Sequence, residues 1–252
     1  TIAGTFNSAS TDFANVQFLG SGTKTFSNNA STTAFTIASG VTVAAPTLLT
    51  IAGNYTENGS FTDGGGTVFF SGALTLSGTM NSATTDFASV EFLAAGTKTL
   101  SGNASTTALT VTAGTLDISS QLLTAAGTFT QNGTLTTNAS SRIFFTGSGN
   151  IAGTLTGTSQ LRNVEFLASR TFTANASTTD FIVTTGTVVA PTLLTIAGNY
   201  TQNGSFTDSG GTVFFDGAAQ TLAGTMNSAG TDFANVQFLG SGTKTFSNNA
   251  SP

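Results

Sequence analysis

The residues able to do chemistry in this chain are few. Its 252 residues include no His and no Cys, 11 acidic residues and 6 basic ones. Without imidazole or thiol there is no Ser-His-Asp relay, no thiolate nucleophile and no zinc site of the usual kind. Paired carboxylates remain, and these need two acids held at a fixed separation with their proton affinities pushed apart. Asp12, Asp86 and Asp232 recur along the chain, but Gln160 stands at the matching place between them. Glu91 and Glu165 are matched by Gln17 and Gln237, and Glu57 by Gln202. A place that takes an amide as readily as a carboxylate does not hold a catalytic proton. The chain reads as a non-enzyme, with no catalytic residue, no cofactor-binding residue and no metal ligand to assign.

Three further patterns invite a binding role. The loops TDGGGT (62–67) and TDSGGT (207–212) each offer one Asp among glycines. One carboxylate is thin coordination for calcium, which takes six to eight oxygens, so these read as Gly-rich corners capped by Asp. Lys24, Lys98, Arg170 and Lys244 recur with the repeat described below. The alternation of T-K-T reads as placing the charge outward, in a spaced basic column that solvates the surface and guards strand edges. Threonine pairs at 110–112, 134–136 and 154–156 point two hydroxyls to one side, the arrangement an ice-binding face would use, although successive stretches do not repeat it in one place.

Asparagine gives the densest signal. N-x-S/T sequons, the acceptors of N-linked glycans, stand at Asn29, Asn103, Asn175 and Asn249, in step with the repeat. Others lie at Asn54, Asn58, Asn132, Asn138, Asn199 and Asn203. Asn also tolerates the left-handed backbone of tight corners and stacks in amide ladders, so the same residues serve structure as well as modification.

The elements that must position these residues are set by self-similarity. The stretch from Asn7 to Ser31 returns from Asn227 to Ser251 with Ser10 against Gly230 as the sole change, and Pro46–Phe70 returns almost unaltered from Pro191. Val16, Val90, Val164 and Val236 mark one position, at spacings of 74, 74 and 72. The units run over about 7–80, 81–154, 155–226 and a partial 227–252. Within a unit, Phe18, Ile37, Ile51, Phe70 and Phe92 end similar apolar-alternating stretches at separations of 19, 14, 19 and 22. Four turns of about 18.5 residues would fill one unit, giving 13 or 14 turns in a rod of about 65 Å at one strand spacing per turn.

These stretches alternate with period two and are bounded by SG, NG, GG and DG, whereas no sustained helical period appears. One apolar ladder repeated every coil is what a solenoid needs. The fold expected is therefore a single all-β domain, a right-handed parallel β-helix with 18–19 residues per coil in super-repeats of about 74.

Composition agrees. Only 7% of residues are charged, the net charge is −5, and Thr, Ser, Gly, Asn and Ala dominate. Six basic residues are too few for a nucleic-acid footprint, and no apolar run approaches the ~20 residues that span a bilayer. Solubility must come from hydroxyls and amides.

The coils LLTIAGNYTENGSFTDGGGTVFFSGALTLSGTM and GTFTQNGTLTTNASSRIFFTGSGNIAGTLTG resemble the repeats of secreted bacterial β-helix proteins, of the filamentous-haemagglutinin-like and autotransporter-adhesin-shaft type. The resemblance spans nearly the whole chain and implies architecture, with no site residues to carry over. The function expected is structural and extracellular: a filament, stalk or cell-surface coat. The alternative is an adhesin that recognises glycans, or less readily ice, through an outer face. The partners expected are further copies or repeats that continue the coil end to end, and covalent or bound glycans. A natural solenoid covers its terminal coils, so both ends are expected to be covered by more repeats or by head-to-tail stacking.

Overall fold

The computed structural model describes residues 1–4, 6, 13–81, 87–226 and 233–248. Twenty-six of its strands join one sheet, three more form a second, and each register recorded between strands is parallel. The described residues hold one helical element, a 3-10 turn at Gly157–Ser159. The protein is a parallel β-solenoid.

Its coil is longer than four turns per unit would allow. Along one face, Phe6 pairs with Ala30, which is followed by Leu49, Val68 and Val90. The same column continues through Leu109, Phe129, Ile151 and Phe172. Eight register steps thus lead from Phe6 to Phe172, about 21 per turn. Ile37 and Ile51 look in the sequence like the ends of successive turns. Ile37 in fact pairs with Glu57, and Ile51 with Thr32, so the stretch between them only carries the chain around a corner.

Each turn has three faces, and this changes what the long repeat means. Val16 lies in a column with Phe35, Tyr55, Leu76 and Leu100. Val90 lies in the column of Phe6 just described. Val164 lies in a third, with Ile143, Leu123, Ala104 and Met80. Val236, with Val213, Leu194, Ala176 and Leu155, returns to the face of Val16. The return from Val16 to Val236 takes eleven turns, on average about 20 per turn. Three units make eleven turns, so one unit winds three and two-thirds. Equivalent residues of successive units therefore sit a third of a turn apart, about 18 Å along the axis at one strand spacing per turn.

Inside, rings stack on rings. Phe35 lies 5.9 Å from Tyr55, Phe70 lies 5.4 Å from Phe92, and Phe145 lies 5.2 Å from Phe166, each pair near parallel. Aromatic stacking of this kind adds to the burial of the rings themselves. One recurrent glycine is fixed by this closeness. Gly78, Gly153 and Gly224 have φ of +101°, +98° and +103°, and a Cβ there would meet the carbonyl oxygens of Glu57, Gln131 and Gln202 at 1.9, 2.1 and 1.9 Å. No other residue fits.

Among the described residues, the aromatic stack breaks between Phe92 and Phe129. Leu100 and Leu109 stand there in the places of Phe26 and Phe35, and they line a void of about 20 Å³ together with Phe87, Leu116 and Leu123. At ~24 cal/mol per Å³ of cavity, filling it is worth about 0.5 kcal/mol. Leu109→Phe is expected to raise the thermal midpoint, with denaturant slope unchanged. A lowered midpoint would show that the coil cannot take the ring.

Candidate functional site

The basic residues are the largest departure from the sequence reading. They point inward. Lys98 is fully buried and Arg170 is 1% exposed, while Lys24 and Lys244 are half-buried. They form no column, because Lys24 pairs with Val43 on one face, Lys98 with Leu116 on the next and Arg170 with Val188 on the last. The inward direction follows from strand geometry. Lys24, Lys98 and Arg170 each precede by two residues a buried ring or leucine (Phe26, Leu100, Phe172), and residues two apart in a strand share a face. The signal lies in the T-K-T-F spacing, whose parity is the reverse of that expected for a surface column.

Each buried cation is held by corner carbonyls. The Lys98 ammonium donates to Leu93 O at 2.6 Å and Ala94 O at 2.8 Å, and reaches Gly96 O at 3.4 Å. Arg170 donates from Nη2 to Ala125 O at 2.6 Å and from Nη1 to Gly127 O, with its guanidinium 4.9 Å from the Phe145 ring centroid. Lys24 donates to Ser21 O at 2.6 Å, and Lys244 to Gly217 O. Burial pulls the Lys98 ammonium below the usual lysine range and brings Arg170 down to about 10. Carbonyl dipoles offset part of that desolvation. These cations tie corners to the core, and Lys98 and Arg170 are closed off from solvent.

Most acids among the described residues are likewise engaged by the fold. Asp63 accepts from Gly65 N at 3.1 Å and from Ala88 N at 2.5 Å in the coil above. Asp208 repeats this with Gly210 N at 3.2 Å and Ala234 N at 2.6 Å. The two Gly-rich loops are capped corners, as their sequence suggests. Glu91 accepts from the Thr112 hydroxyl at 2.6 Å and Glu165 from that of Thr184 at 2.9 Å, each across one turn. Among the described residues no three of Asp, Glu, His or Cys gather as a metal site would require. Asp12, Asp86 and Asp232 lie outside the described residues.

The sequons divide into kinds. The side-chain carbonyls of Asn29, Asn103 and Asn175 accept from Leu48 N, Leu122 N and Leu193 N at 3.1, 2.9 and 3.1 Å, stapling one corner to the next. Asn54 and Asn199 do the same for Thr75 N and Thr221 N, both at 2.9 Å. Asn138 caps its own corner, accepting from Ser140 N at 2.9 Å and Ser141 N at 3.0 Å. Asn58, Asn132 and Asn203 are exposed, held by backbone bonds from their own N–H to Ile37 O, Val111 O and Val183 O. Asn249 lies outside the described residues. The recurring sequons do not line up on one side but follow the unit around the rod.

The threonine pairs point outward as expected; Thr97, Thr115 and Thr134 stack over three coils, and the column beside them runs Thr75, Thr99, Asp117, Thr136. Thr110 and Thr134 are half-exposed and Thr154 is exposed. One outward column reads Thr124, Phe144, Glu165, Ile182, Thr201, Ala223 from coil to coil. An open corner cleft of about 280 Å³ runs over Phe172–Asn175, Pro191 and Asp208–Gly211, with the Asp208 carboxylate already committed to two N–H groups.

Inside the coil lies a polar position that sequence reasoning missed. Tyr55 donates to Glu57 at 2.6 Å, and Tyr200 to Gln202, all four fully buried. In the middle unit Phe129 replaces the tyrosine, and Gln131 lies buried with no partner for either side-chain polar atom. Supplying the hydroxyl restores a hydrogen bond worth about 1 kcal/mol, so Phe129→Tyr is expected to stabilise the fold by that amount in chemical denaturation. No gain would mean that the ring cannot place its hydroxyl there.

Alkaline pH probes the same position. Burial, reinforced by Glu57 for Tyr55 and by Asp208 for Tyr200, holds both phenols well above 10. A raised folded value gives stability that is complete below pH ~10, where unfolded tyrosines begin to ionise, and is lost as pH climbs further. Lys98 and Arg170 act in the opposite sense, gaining stability as pH rises toward their unfolded values. The double variant Tyr55→Phe/Tyr200→Phe isolates the phenols: above pH 10 its stability is expected to fall less steeply than that of the parent. Parallel curves would place the phenols in water.

No protein family, curated protein or solved structure matches this chain. Among the described residues, no helix is long and apolar enough to cross a membrane.

Proposed function

We propose that this chain is a length of extracellular structural shaft, a filament, stalk or surface coat, and that it performs no catalysis. The observation that carries this reading is the third-of-a-turn advance of each unit. A feature that recurs once per unit is dealt in turn to all three faces. Duplication then lengthens the rod without building up any one face. A binding face would need the opposite, a unit of whole turns that stacks the same residue on one side. Side chains that could react instead serve the fold's own backbone: Asp63, Asp208, Arg170 and Lys244 join coil to coil, and Lys98 closes its own corner.

The surface suits an extracellular setting, since hydroxyls and amides rather than charges keep it soluble, with 7% of residues charged. The sequons would carry glycans on all sides of such a rod, in a spiral rather than a column. End-to-end association of copies extends it further.

Electron cryomicroscopy or fibre diffraction of native material tests the reading. Rods are expected with an axial spacing of ~4.8 Å, a unit feature every ~18 Å rotated by a third of a turn, and a true repeat near ~53 Å. Isolated globular particles would overturn the shaft; rods bearing a decorated single side would favour a binding face.

A further inference from the structure

Three corners share one short sequence. Asn58-Gly59-Ser60, Asn132-Gly133-Thr134 and Asn203-Gly204-Ser205 follow Glu57, Gln131 and Gln202, and each stands on a different face of the rod. All three asparagines are exposed, and their carboxamides make no hydrogen bond among the described residues. Asparagine is one of the chemically labile side chains. It is most labile before glycine, whose backbone nitrogen no neighbouring Cβ shields.

The corners differ at the glycine. Gly133 N donates to Val111 O and Gly204 N to Val183 O, both at 3.0 Å. Gly59 N has no acceptor among the described residues. The coil below differs in step. Beneath Gly59 the turn from Ala38 to Val41 closes on itself, with Val41 N donating to Ala38 O at 3.2 Å. Beneath Gly133, Thr112 N and Ala113 N both reach Phe92 O, and beneath Gly204, Thr184 N and Thr185 N both reach Phe166 O.

We propose that Asn58 is a site of self-modification, where the corner converts its own asparagine to a carboxylate, and that Asn132 and Asn203 are held back by the hydrogen bonds of their glycines. The Gly59 nitrogen gives up its proton and bonds to Asn58 Cγ. The Cγ–Nδ2 bond breaks, and Nδ2 leaves with that proton as ammonia. Water then opens the five-membered imide at either carbonyl, leaving aspartate or isoaspartate, and nothing besides water is consumed. An N–H that donates to a carbonyl keeps its proton and its peptide plane, so it is slow to attack.

The consequence falls on the surface. Each conversion adds one negative charge to a chain whose net charge is −5, and it removes the nitrogen to which a glycan would be joined. Glycan and charge are alternative fates of one corner. The inference goes beyond the shaft reading and does not rest on it.

The shared sequence supplies an internal control. With the chain unfolded in urea at mildly alkaline pH, the three corners are expected to convert at similar rates, read by peptide mapping of aspartate and isoaspartate. In the folded protein Asn58 is expected to run ahead of Asn132 and Asn203 by about fivefold, the factor one ordinary hydrogen bond sets. A sub-denaturing addition of urea is expected to leave the Asn58 rate unchanged. Equal rates at the three corners of the folded protein, or an Asn58 that lags or stays intact, would overturn the proposal. So would acceleration by the added urea, which would route the reaction through an opened coil instead of the closed corner. Each of these failures leaves the shaft reading standing.

Discussion

Every coil of this protein must hydrogen-bond to the coil above and the coil below, at one fixed spacing and in parallel register. Side chains of adjacent coils are thereby forced into contact with their counterparts, inside and out. The interior answers with rings on rings and branched aliphatics on rings, as in the run from Phe35 through Tyr55 to Phe70. The corners answer with side chains that complete a backbone the strands leave unfinished. Asn29 reaches to Leu48 N, Asp63 to Ala88 N, and Lys98 back to the carbonyls of Leu93 and Ala94. Polar residues here mostly maintain continuity along the axis.

The inward cations meet the same constraint from the side of the backbone. A corner turns its carbonyls away from any ladder, and an orphaned carbonyl near the core costs more than a typical hydrogen bond returns. A lysine or arginine with a long apolar stem can cross the core edge and satisfy two or three such oxygens at once. Gln220 achieves the same without charge, donating to Ile196 O at 2.9 Å and to Gly198 O at 2.5 Å. Where the polar group lacks such partners, as at Gln131, the desolvation penalty is left unrelieved. The tyrosine two residues before Glu57 and Gln202 is the local remedy in the other units.

Much of this was legible in the sequence. The parallel solenoid follows from period-two apolar stretches repeated with Gly-rich punctuation, and the capped corners from a lone Asp before glycines. The turn length was not, because Ile37 and Ile51 look alike and carry the same kind of strand while lying on different faces. Sequence similarity marks the unit, whereas only pairing marks the turn. The direction of Lys98 was readable from its distance to Leu100, yet charge suggested the surface more strongly than spacing suggested the core. The pairing of Tyr55 with Glu57 needed the knowledge that both face inward, which the Glu-to-Gln exchange at that place hides until burial is seen.

The mismatch between unit and turn also constrains what the unit can become. Because Tyr55, Phe129 and Tyr200 sit in three different columns, each copy of the unit must fit neighbours drawn from another part of its own pattern. A residue suited to one face alone would be tested on the other two after each duplication. Apolar positions therefore exchange mostly among apolar residues, as Phe61, Leu135 and Phe206 do, all fully buried, while Leu74 gives way to Gln220 only where its amide meets two carbonyls. Corners tolerate exchange between Asp and Asn, as at Asp63, Asn138 and Asp208, because each supplies an oxygen to the following N–H groups. Such a unit can be copied many times without misfit, and it is poorly placed to evolve a private site. The physical feature that makes the rod extensible is the one that keeps its three faces alike.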